Sequence, residues 1–282
     1  MNNLLIIGCG DIARRTIPLL AGHFRLYALL RNPAQGASLR GLGVTPLSGD
    51  LDDRHSLRRL AGLAQTVLYL APPDGRGARD GRTRNLLAAL AQGRVPARLV
   101  YISTSGVYGD CAGAWVSETR PPRAQTRRAL LRLDAEQQIR HWAARNRVSA
   151  SILRVPGIYA AERLPLERLR AGLPAILAAE DGYSNHIHAD DLARILLAAL
   201  RHARPNRIYH AVDDDEMRMG DYFDAVADAH GLPHPPRLPR AAVQQQVSPM
   251  MWSFMNESRR LRNDRMKREL CVRLRYPGLD FP

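Results

Sequence analysis

Close to its first residue the chain reads Leu4-Leu5-Ile6-Ile7-Gly8-Cys9-Gly10-Asp11-Ile12-Ala13, an apolar run followed by the spacing GxGxxA. The apolar run predicts a buried strand, and the residues after it predict a helix that begins near Asp11. Gly8 permits a tight turn, Gly10 lets a pyrophosphate approach the backbone, and Ala13 allows close packing of helix on strand. The pattern therefore predicts a dinucleotide site, with a plain tight turn as the alternative. Its predicted cofactor-binding residues are Gly8, Gly10, Asp11 and Ile12.

Short apolar runs alternate with helical patterns through the first half of the chain. This alternation is typical of a parallel sheet with crossover helices. The predicted strands are 4–8, 25–30, 44–47, 67–70, 98–103 and 149–153, and the predicted helices are 11–22, 55–64, 83–92 and 127–144. The sequence thus predicts an α/β fold, a Rossmann-type doubly wound parallel sheet.

The amino-acid composition changes after about residue 156, where prolines and glycines become more frequent. Amphipathic patterns predict helices over 190–202, 220–230 and 249–270. We expect a cofactor-binding Rossmann domain over residues 1–155 and a smaller C-terminal substrate lobe over 156–282. Residues 186–212 are expected to return to the Rossmann core.

The charge balance is strongly basic, with 41 Lys and Arg against 27 Asp and Glu in 282 residues, a net charge of +14. Lys267 is the only lysine, so the basic residues are almost all arginine. They are scattered along the chain without a basic tail, which disfavours nucleic acid as the main partner and leaves a small-molecule substrate. No apolar run reaches 18 residues, and the three cysteines show no CxxC spacing. These features predict a cytoplasmic protein without a membrane span, disulfide framework or cysteine metal site.

The ends of the second and third predicted strands carry the residues that would select the cofactor. Arg31 and Asn32 follow the second strand, where a carboxylate would bind the ribose of NAD. A guanidinium at that place can pair with a 2'-phosphate, so Arg31 favours NADP, with NAD as the alternative. Asp50 and Leu51 follow the third strand. Asp50 would either accept from the adenine amino group or cap the next helix.

Three further motifs carry a family resemblance: Val100-Tyr101-Ile102-Ser103-Thr104-Ser105-Gly106-Val107-Tyr108-Gly109, Leu153-Arg154-Val155-Pro156-Gly157-Ile158-Tyr159 and Asn185-His186-Ile187-His188-Ala189-Asp190-Asp191-Leu192-Ala193. In order and spacing they resemble the extended short-chain dehydrogenase/reductase superfamily, in its NAD-dependent epimerase/dehydratase branch. The tail, from Phe254 to Arg260 and on to Pro277, is similar to an atypical subgroup described as nucleoside-diphosphate-sugar epimerase-like. The resemblance covers about residues 3 to 230.

The resemblance implies roles for residues at three places. The catalytic hydroxyl would be Thr104, with Ser103 beside it and Ser105 facing the substrate, unless these residues merely close a strand end. The cofactor would be covered by Ala71, Pro72 and Pro73, and flanked at the nicotinamide by Pro156 and Ile158. For substrate binding we expect Tyr159, Arg163 and His186. His186 and His188 lack a third metal ligand of suitable spacing, so no metal site is predicted.

The family's YxxxK element is where the sequence departs from the resemblance. Counting back from Glu136 places Arg132 at the lysine position and Arg128 at the tyrosine position. Arginine stays protonated near neutral pH and cannot act as the acid or base, although Arg132 can still bind the ribose hydroxyls. Tyr108 is the candidate substitute phenol, with Tyr159 and Tyr183 considered beside it; each can equally be a packed aromatic.

Two functions remain open from the sequence. The first is an NADP(H)-binding oxidoreductase or epimerase-like enzyme that acts on a sugar or nucleotide sugar. Ser105 and Gly106 replace the Asp-Glu pair that sugar 4,6-dehydratases of this family carry, so dehydration is disfavoured. The second is a non-catalytic NADP(H) sensor that controls a partner, in which Arg128 or an apolar side chain would close the reacting spot. The family often dimerises through the helix predicted at 127–144, which allows a homodimer.

Overall fold

The computed structural model describes residues 1–75 and 77–279, and a parallel sheet forms its centre. The strands in this sheet are β1 (Asn2–Ile7), β2 (Phe24–Leu30), β3 (Val44–Ser48), β4 (Thr66–Tyr69), β5 (Arg98–Thr104), β6 (Ser149–Val155) and β7 (Arg207–His210). Their order is β7-β6-β5-β4-β1-β2-β3, and every neighbouring pair is parallel. The order reverses between β1 and β4, which opens a crevice at the carboxyl ends of these strands. The predicted Rossmann-type α/β fold is confirmed.

Ten α-helices lie among the described residues. They are α1 (Asp11–Leu20), α2 (Gly36–Gly41), α3 (Gly81–Leu90), α4 (Arg127–Asn146), α5 (Leu166–Arg170), α6 (Ala189–His202), α7 (Met219–Ala229), α8 (Arg240–Gln246), α9 (Pro249–Met255) and α10 (Asp264–Leu270). Short 3-10 helices span Pro33–Gln35, Arg54–Leu60, Ser105–Tyr108 and Ala161–Arg163. The helix expected at 55–64 is therefore a shorter 3-10 helix. None of the described helices is long and apolar enough to cross a membrane.

The two faces of the sheet bury separate apolar layers. Leu4 and Ile6 of β1 pack with α1 and α6, whereas Leu5 and Ile7 pack with α3 and α4. Side chains alternate between the faces of a strand, so one apolar run supplies both layers. Because α6 lies in the first layer and β7 in the sheet, residues late in the chain complete the core that the early strands begin.

The segment after β7 builds a smaller apolar cluster from α7, α8 and α9, together with α5. Short strand pairs tie this part together, namely Gly157–Tyr159 with His186–His188, Ala175–Ile176 with Arg237–Leu238, Tyr183–Ser184 with Met217–Arg218, and Trp115–Val116 with Arg260–Leu261.

The prediction of one helix over 249–270 is wrong. The chain leaves α9 at Met255 and re-enters a helix only at Asp264. Between them the backbone of Ser258 accepts from Cys111 N (3.0 Å) and donates to Asp110 Oδ1 (2.8 Å). These long-range hydrogen bonds replace the ones a continuous helix would have formed, so tertiary contacts override the local pattern.

Candidate active site

The glycine turn after β1 has the shape that a dinucleotide phosphate requires. Gly8 has a φ of +95°, and a Cβ on it would lie 2.5 Å from the nitrogen of Ala71, so only glycine lets the two segments meet. Around Gly10 the space is open, with no heavy atom within 4 Å of a Cβ built there. Gly10 is also the N-cap of α1 and offers no capping side chain to the first N–H groups. A pyrophosphate fits this cradle and can accept from those N–H groups.

Charged side chains frame the start of α1. The Asp11 carboxylate accepts from Arg15 Nε and from Arg163 Nη1, both at 2.9 Å. Arg15 also pairs with Asp190 (2.5 Å) and with Glu162. The guanidinium groups neutralise the carboxylate at the helix start, which reduces its repulsion of a phosphate. Arg163, expected to bind substrate, thus lies at the mouth of the glycine turn.

At the ends of β2 and β3 the structure places the residues expected to meet the adenosine half. Arg31 is exposed. The Asn32 side chain accepts from Ala34 N (3.0 Å) and caps the following 3-10 helix. Asp50 Oδ1 accepts from Asp52 N (3.0 Å), which makes a local turn, and Leu51 is buried. The Asp50 carboxylate therefore serves this turn, and its second oxygen has no hydrogen-bond partner among the described residues. The helix cap expected of Asp50 is instead supplied by Asp53, whose side chain accepts from His55 N.

The main cavity lies at the carboxyl ends of β5 and β6 and has a volume of about 470 Å³. Residues of α7 and α9 line its other side. Many of the residues singled out from the sequence meet here: Ser103, Thr104, Ser105, Arg132, Pro156, Ile158, Arg163, Tyr183 and His186. Residues from three separate sequence motifs therefore converge on one cavity.

Thr104 ends β5 and presents its hydroxyl at this cavity. Its Oγ1 accepts from Gly106 N at 3.2 Å, which caps the 3-10 helix Ser105–Tyr108. Because the oxygen is held by this N–H, the hydroxyl hydrogen remains available to a ligand. Ser105 also lines the cavity next to it. The site can therefore donate a hydrogen bond to a substrate oxygen.

Ser103 has a different environment from its neighbour. It is buried, and its Oγ donates to Glu136 Oε1 at 2.5 Å. Glu136 in turn pairs with Arg154, whose Nη2 lies 2.7 Å from Oε2. The Ser103 hydroxyl is therefore engaged in the interior, beneath the cavity. Arg154 was missed from the sequence; the available signal was a charged residue within an apolar strand, which when buried requires a partner.

Arg132 ties together the strand ends around the cofactor groove. Its Nη1 donates to Ile102 O (2.7 Å), to Tyr101 Oη (3.0 Å) and, at 3.4 Å, to Ala71 O. Ala71 is the residue that meets the glycine turn, so Arg132 connects this covering segment to the end of β5. Beside it Pro72 O accepts from Arg82 Nη1 at 3.2 Å, while Pro73 is partly exposed.

Two of the three tyrosines considered as substitute phenols lie outside the residues that line the cavity. Tyr108 is fully buried, and its hydroxyl is 2.6 Å from His210 Nε2. Burial raises the pKa of Tyr108 to about 12. Tyr159 is also buried and donates to Gly278 O at 2.8 Å. Tyr183 does line the cavity, so it is the phenol of the three that can reach a ligand there.

His186 lines the cavity as a neutral side chain. It is 4% exposed, and burial lowers its pKa to about 4. Nε2 lies 3.1 Å from Ser184 Oγ, whereas the buried Nδ1 has no partner among the described residues. The ring stacks on Tyr222, with centroids 4.2 Å apart. No described group of three or more His, Cys, Asp and Glu side chains could hold a metal ion.

The tail supplies charged groups to the cavity wall, which local sequence patterns alone do not indicate. Arg259 Nη1 donates to Gly109 O (2.7 Å), and both its Nη atoms lie 2.8 Å from Glu257 Oε2. Arg128 lies over the ring of Phe254, 4.2 Å from its centroid. The signal for Glu257 and Arg259 was their place in the tail that carried the family resemblance.

Comparison with known proteins agrees with this geometry. Residues 8–203 match a family described as NAD(P)H-binding. The chain belongs to this family. The matched part of this NAD(P)H-binding protein begins at the glycine turn and ends just beyond α6, so it contains both the cofactor cradle and Thr104. None of the curated proteins matches the chain.

Solved structures place the NAD(P)H-binding protein in the fold of the epimerases and dehydratases. It is 31% identical to a functionally unknown conserved protein from Silicibacter pomeroyi, covering 99% of this chain and 95% of that one with a TM-score of 0.79. A nucleoside-diphosphate-sugar epimerase from Pseudomonas aeruginosa is 20% identical, with 96% and 91% covered and a TM-score of 0.78. A dTDP-glucose 4,6-dehydratase double mutant from Streptomyces venezuelae, solved with NAD bound, is 21% identical, with 97% and 92% covered and a TM-score of 0.77.

Proposed function

We propose that the protein is an NADP(H)-dependent oxidoreductase or epimerase-like enzyme that acts on a sugar or nucleotide sugar. The observation that carries the proposal is the Thr104 hydroxyl, which is oriented by Gly106 N and opens onto a cavity of about 470 Å³. The substrate class is proposed because two of the structural neighbours are described as nucleotide-sugar enzymes. The substrate is accordingly proposed to be a small molecule.

The preference for NADP over NAD rests on Arg31. It is exposed at the carboxyl end of β2, where the ribose of the adenosine half would lie. A guanidinium there attracts a 2'-phosphate and can bind it through two donors. A second guanidinium lies against the segment that follows Arg31, because Arg14 Nη1 donates to Ser38 Oγ on α2 (2.9 Å).

The chain's own residues perform binding and orientation in this proposal. The nicotinamide, when bound, supplies or accepts hydride at the substrate carbon. Thr104 donates a hydrogen bond to the oxygen on that carbon and so polarises it. Arg132 fixes the ends of β4 and β5 around the groove through Ala71 O and Ile102 O. Tyr183 lines the cavity and is the candidate general acid or base among the phenols considered.

The cavity itself favours turnover over a sensor role. A protein that binds the cofactor without reaction would be expected to fill the space beside Thr104 with Arg128 or an apolar side chain. Arg128 instead lines the cavity and leaves the space open. An open space next to a hydrogen-bond donor is what a substrate requires.

Titration of the purified protein with NADPH and NADH tests the proposal first. We expect NADPH to bind more tightly, and Arg31→Ala to reduce this preference. A panel of nucleotide sugars with NADP⁺ or NADPH, followed by nicotinamide absorbance and by product analysis for epimers, then tests the reaction. Absence of binding to both cofactors would overturn the proposal, and equal affinities unchanged by Arg31→Ala would overturn the NADP preference.

A further inference from the structure

Arg128 lines the main cavity and forms no ion pair with any described residue. Its side chain makes no hydrogen bond or ion pair with any residue that the structure describes, and its guanidinium carbon lies over the face of Phe254, 4.2 Å from the ring centroid. Desolvation lowers the pKa of Arg128, and Glu257 opposes this effect. An arginine pKa begins so far above neutrality that the group remains charged. Arg128 is exposed, so its guanidinium presents to the solvent-accessible cavity donors that no described residue uses.

The charges around Arg128 do not balance within the cavity. Arg132 donates to carbonyl oxygens and a phenol, which carry no net charge. Arg259 is paired with Glu257, whose Oε2 accepts from both of its Nη atoms at 2.8 Å. Both arginines act on Arg128 as like charges. Three guanidinium groups therefore share one carboxylate in this part of the described wall, and an anionic ligand would relieve the repulsion between them.

Arg128 is on the part of α4 that lines the same cavity as Thr104. Arg132, one helical turn later, is bonded to Ile102 O at the end of β5. Ala129, the next residue, has its Cβ 3.8 Å from a Cβ built on Gly106. Gly106 is the residue whose N–H holds the Thr104 hydroxyl. The α4 backbone therefore passes close to Gly106, and the Arg128 guanidinium belongs to the wall of the cavity that Thr104 also lines.

We propose that Arg128 binds an oxyanion, a carboxylate or phosphate group, that the substrate carries close to the carbon reacting at Thr104. This inference rests on the proposed function for the reacting carbon. Two parallel N–H donors of a guanidinium match the two oxygens of such a group. Stacking on Phe254 holds the guanidinium plane, which reduces the entropy lost when the anion binds. The substrate is thus an acidic or phosphorylated sugar, and Arg128 determines that specificity.

Matched ligand pairs test this assignment by isothermal titration of the NADP⁺-loaded protein. UDP-glucuronate and UDP-glucose differ by one carboxylate on the sugar, and glucose 6-phosphate and glucose differ by one phosphate. We expect the protein to bind the anionic member of at least one pair about tenfold more tightly or better, as a hydrogen-bonded charge pair provides. Which pair shows the preference identifies the anion as carboxylate or phosphate.

Variants distinguish a specific effect of Arg128 from a general effect of positive charge on this surface. Arg128→Gln should abolish the preference for the anionic ligand, and Arg128→Lys should retain part of it because the charge remains. Arg127→Gln removes the same charge from the neighbouring residue, whose Nη2 faces Gly77 O (3.5 Å), and should leave the preference unchanged. Thermal unfolding of each variant verifies that it is folded. If Arg128→Gln does not fold, Arg128→Lys still measures how much affinity is lost when the anion is held by one ammonium group and not by two N–H donors of a guanidinium.

Three outcomes would overturn the inference. One is no preference for either anionic ligand, and another is an equal loss of preference in Arg127→Gln. The third is an equal loss of UDP-glucose and UDP-glucuronate affinity in Arg128→Gln, which would assign Arg128 to the nucleotide diphosphate. The same titrations on the cofactor-free protein keep the two proposals distinguishable: failure to bind NADP(H) removes the proposed function, whereas the anion preference still reports on Arg128.

Discussion

Glu136 of α4 and Arg154 of β6 form an ion pair whose side chains are only 2% and 3% exposed, with 2.7 Å between Oε2 and Nη2. Glu136 also accepts from Ser103 Oγ, and the Arg154 guanidinium lies 4.7 Å from the centroid of the Tyr108 ring. The pair therefore joins α4 to the end of β6 and, through Ser103, to the end of β5 one residue before Thr104.

Removing the carboxylate should destabilise the protein strongly. In Glu136→Gln the Arg154 charge stays buried without compensation, and we expect a loss of about 3 to 5 kcal/mol in the free energy of unfolding. Urea denaturation measures it. The double variant Glu136→Gln/Arg154→Met should recover much of the loss, because the buried charge is then gone. A loss below about 1 kcal/mol in the single variant would mean that Arg154 finds another partner or water.

Six of the seven strands of the sheet could be predicted from the sequence because they are apolar runs that local pattern alone defines, whereas β7 (Arg207–His210) was not predicted. Each predicted strand lies within about two residues of the observed one, as for 98–103 and β5. The glycine turn could also be predicted, since Gly8 and Gly10 stand at a fixed offset from the first strand. Thr104 followed from the family motif, and the structure places it at the cavity.

What the sequence did not reveal depends on contacts between distant segments. The break in the expected helix 249–270 comes from Ser258 bonding to the chain near Cys111, which no local pattern encodes. Arg154 and Glu136 are charged, and only their packing shows that they are buried together. Tyr108 is a candidate phenol by sequence, whereas its contact with His210, 102 residues away, shows how its hydroxyl is used.

Alanine at Gly8 should lower stability, whereas alanine at Gly10 should weaken cofactor binding and leave stability nearly unchanged. At Gly8 the methyl group would lie 2.5 Å from Ala71 N, and φ is +95°, so we expect about 3 kcal/mol or more of destabilisation. At Gly10 the space is open and φ is −77°, so stability should change by less than about 0.5 kcal/mol. The methyl group would nevertheless occupy the space of the pyrophosphate. Gly10→Ala should therefore weaken NADPH binding by about tenfold or more.

Urea unfolding and NADPH titration of both variants check this expectation. The result that would contradict it is a Gly10→Ala protein that binds NADPH as tightly as the wild type, because the cofactor would then approach elsewhere.

Acid should destabilise the protein partly through its buried histidines. Burial lowers the pKa of His186 to about 4 and that of His210 to about 3. Between these values and the ordinary pKa of about 6.5, the unfolded chain binds protons that the folded chain does not. The free energy of unfolding therefore falls as the pH falls through this window, by up to about 1.4 kcal/mol per pH unit for each histidine. Urea unfolding at pH 4.5 to 7 measures the slope.

Variants isolate the groups responsible. His186→Gln should reduce the slope by about one proton's contribution between pH 6.5 and 4, and an unchanged slope would mean that the folded protein also protonates this ring. Asp213 acts in the opposite direction, because burial raises its pKa to about 9. The folded state then binds the extra proton, so Asp213 stabilises less as the pH rises from about 4 to 9, and Asp213→Asn should remove that decline.

Thr104 offers the most direct test of the proposed chemistry. Thr104→Val keeps the shape of the side chain but removes the donor to the substrate oxygen, so turnover should fall about 10²-fold to 10³-fold. NADPH affinity should be unchanged, and stability should fall by about 1 kcal/mol because Gly106 N loses its acceptor. Steady-state kinetics with the sugar substrate found in the panel measure the effect.

Two companions complete this test. Thr104→Ser restores a hydroxyl at the same place and should recover most of the turnover. Thr119→Val makes the same chemical change at an exposed threonine whose hydroxyl contacts Ser117 Oγ (2.9 Å), and should leave the kinetics unchanged. If Thr104→Val kept turnover within about threefold of the wild type, the hydroxyl would not act on the reacting oxygen, because loss of even one neutral hydrogen bond is worth about that factor. A fall in affinity for the substrate at constant kcat would instead assign Thr104 to binding that is equal in the ground and transition states.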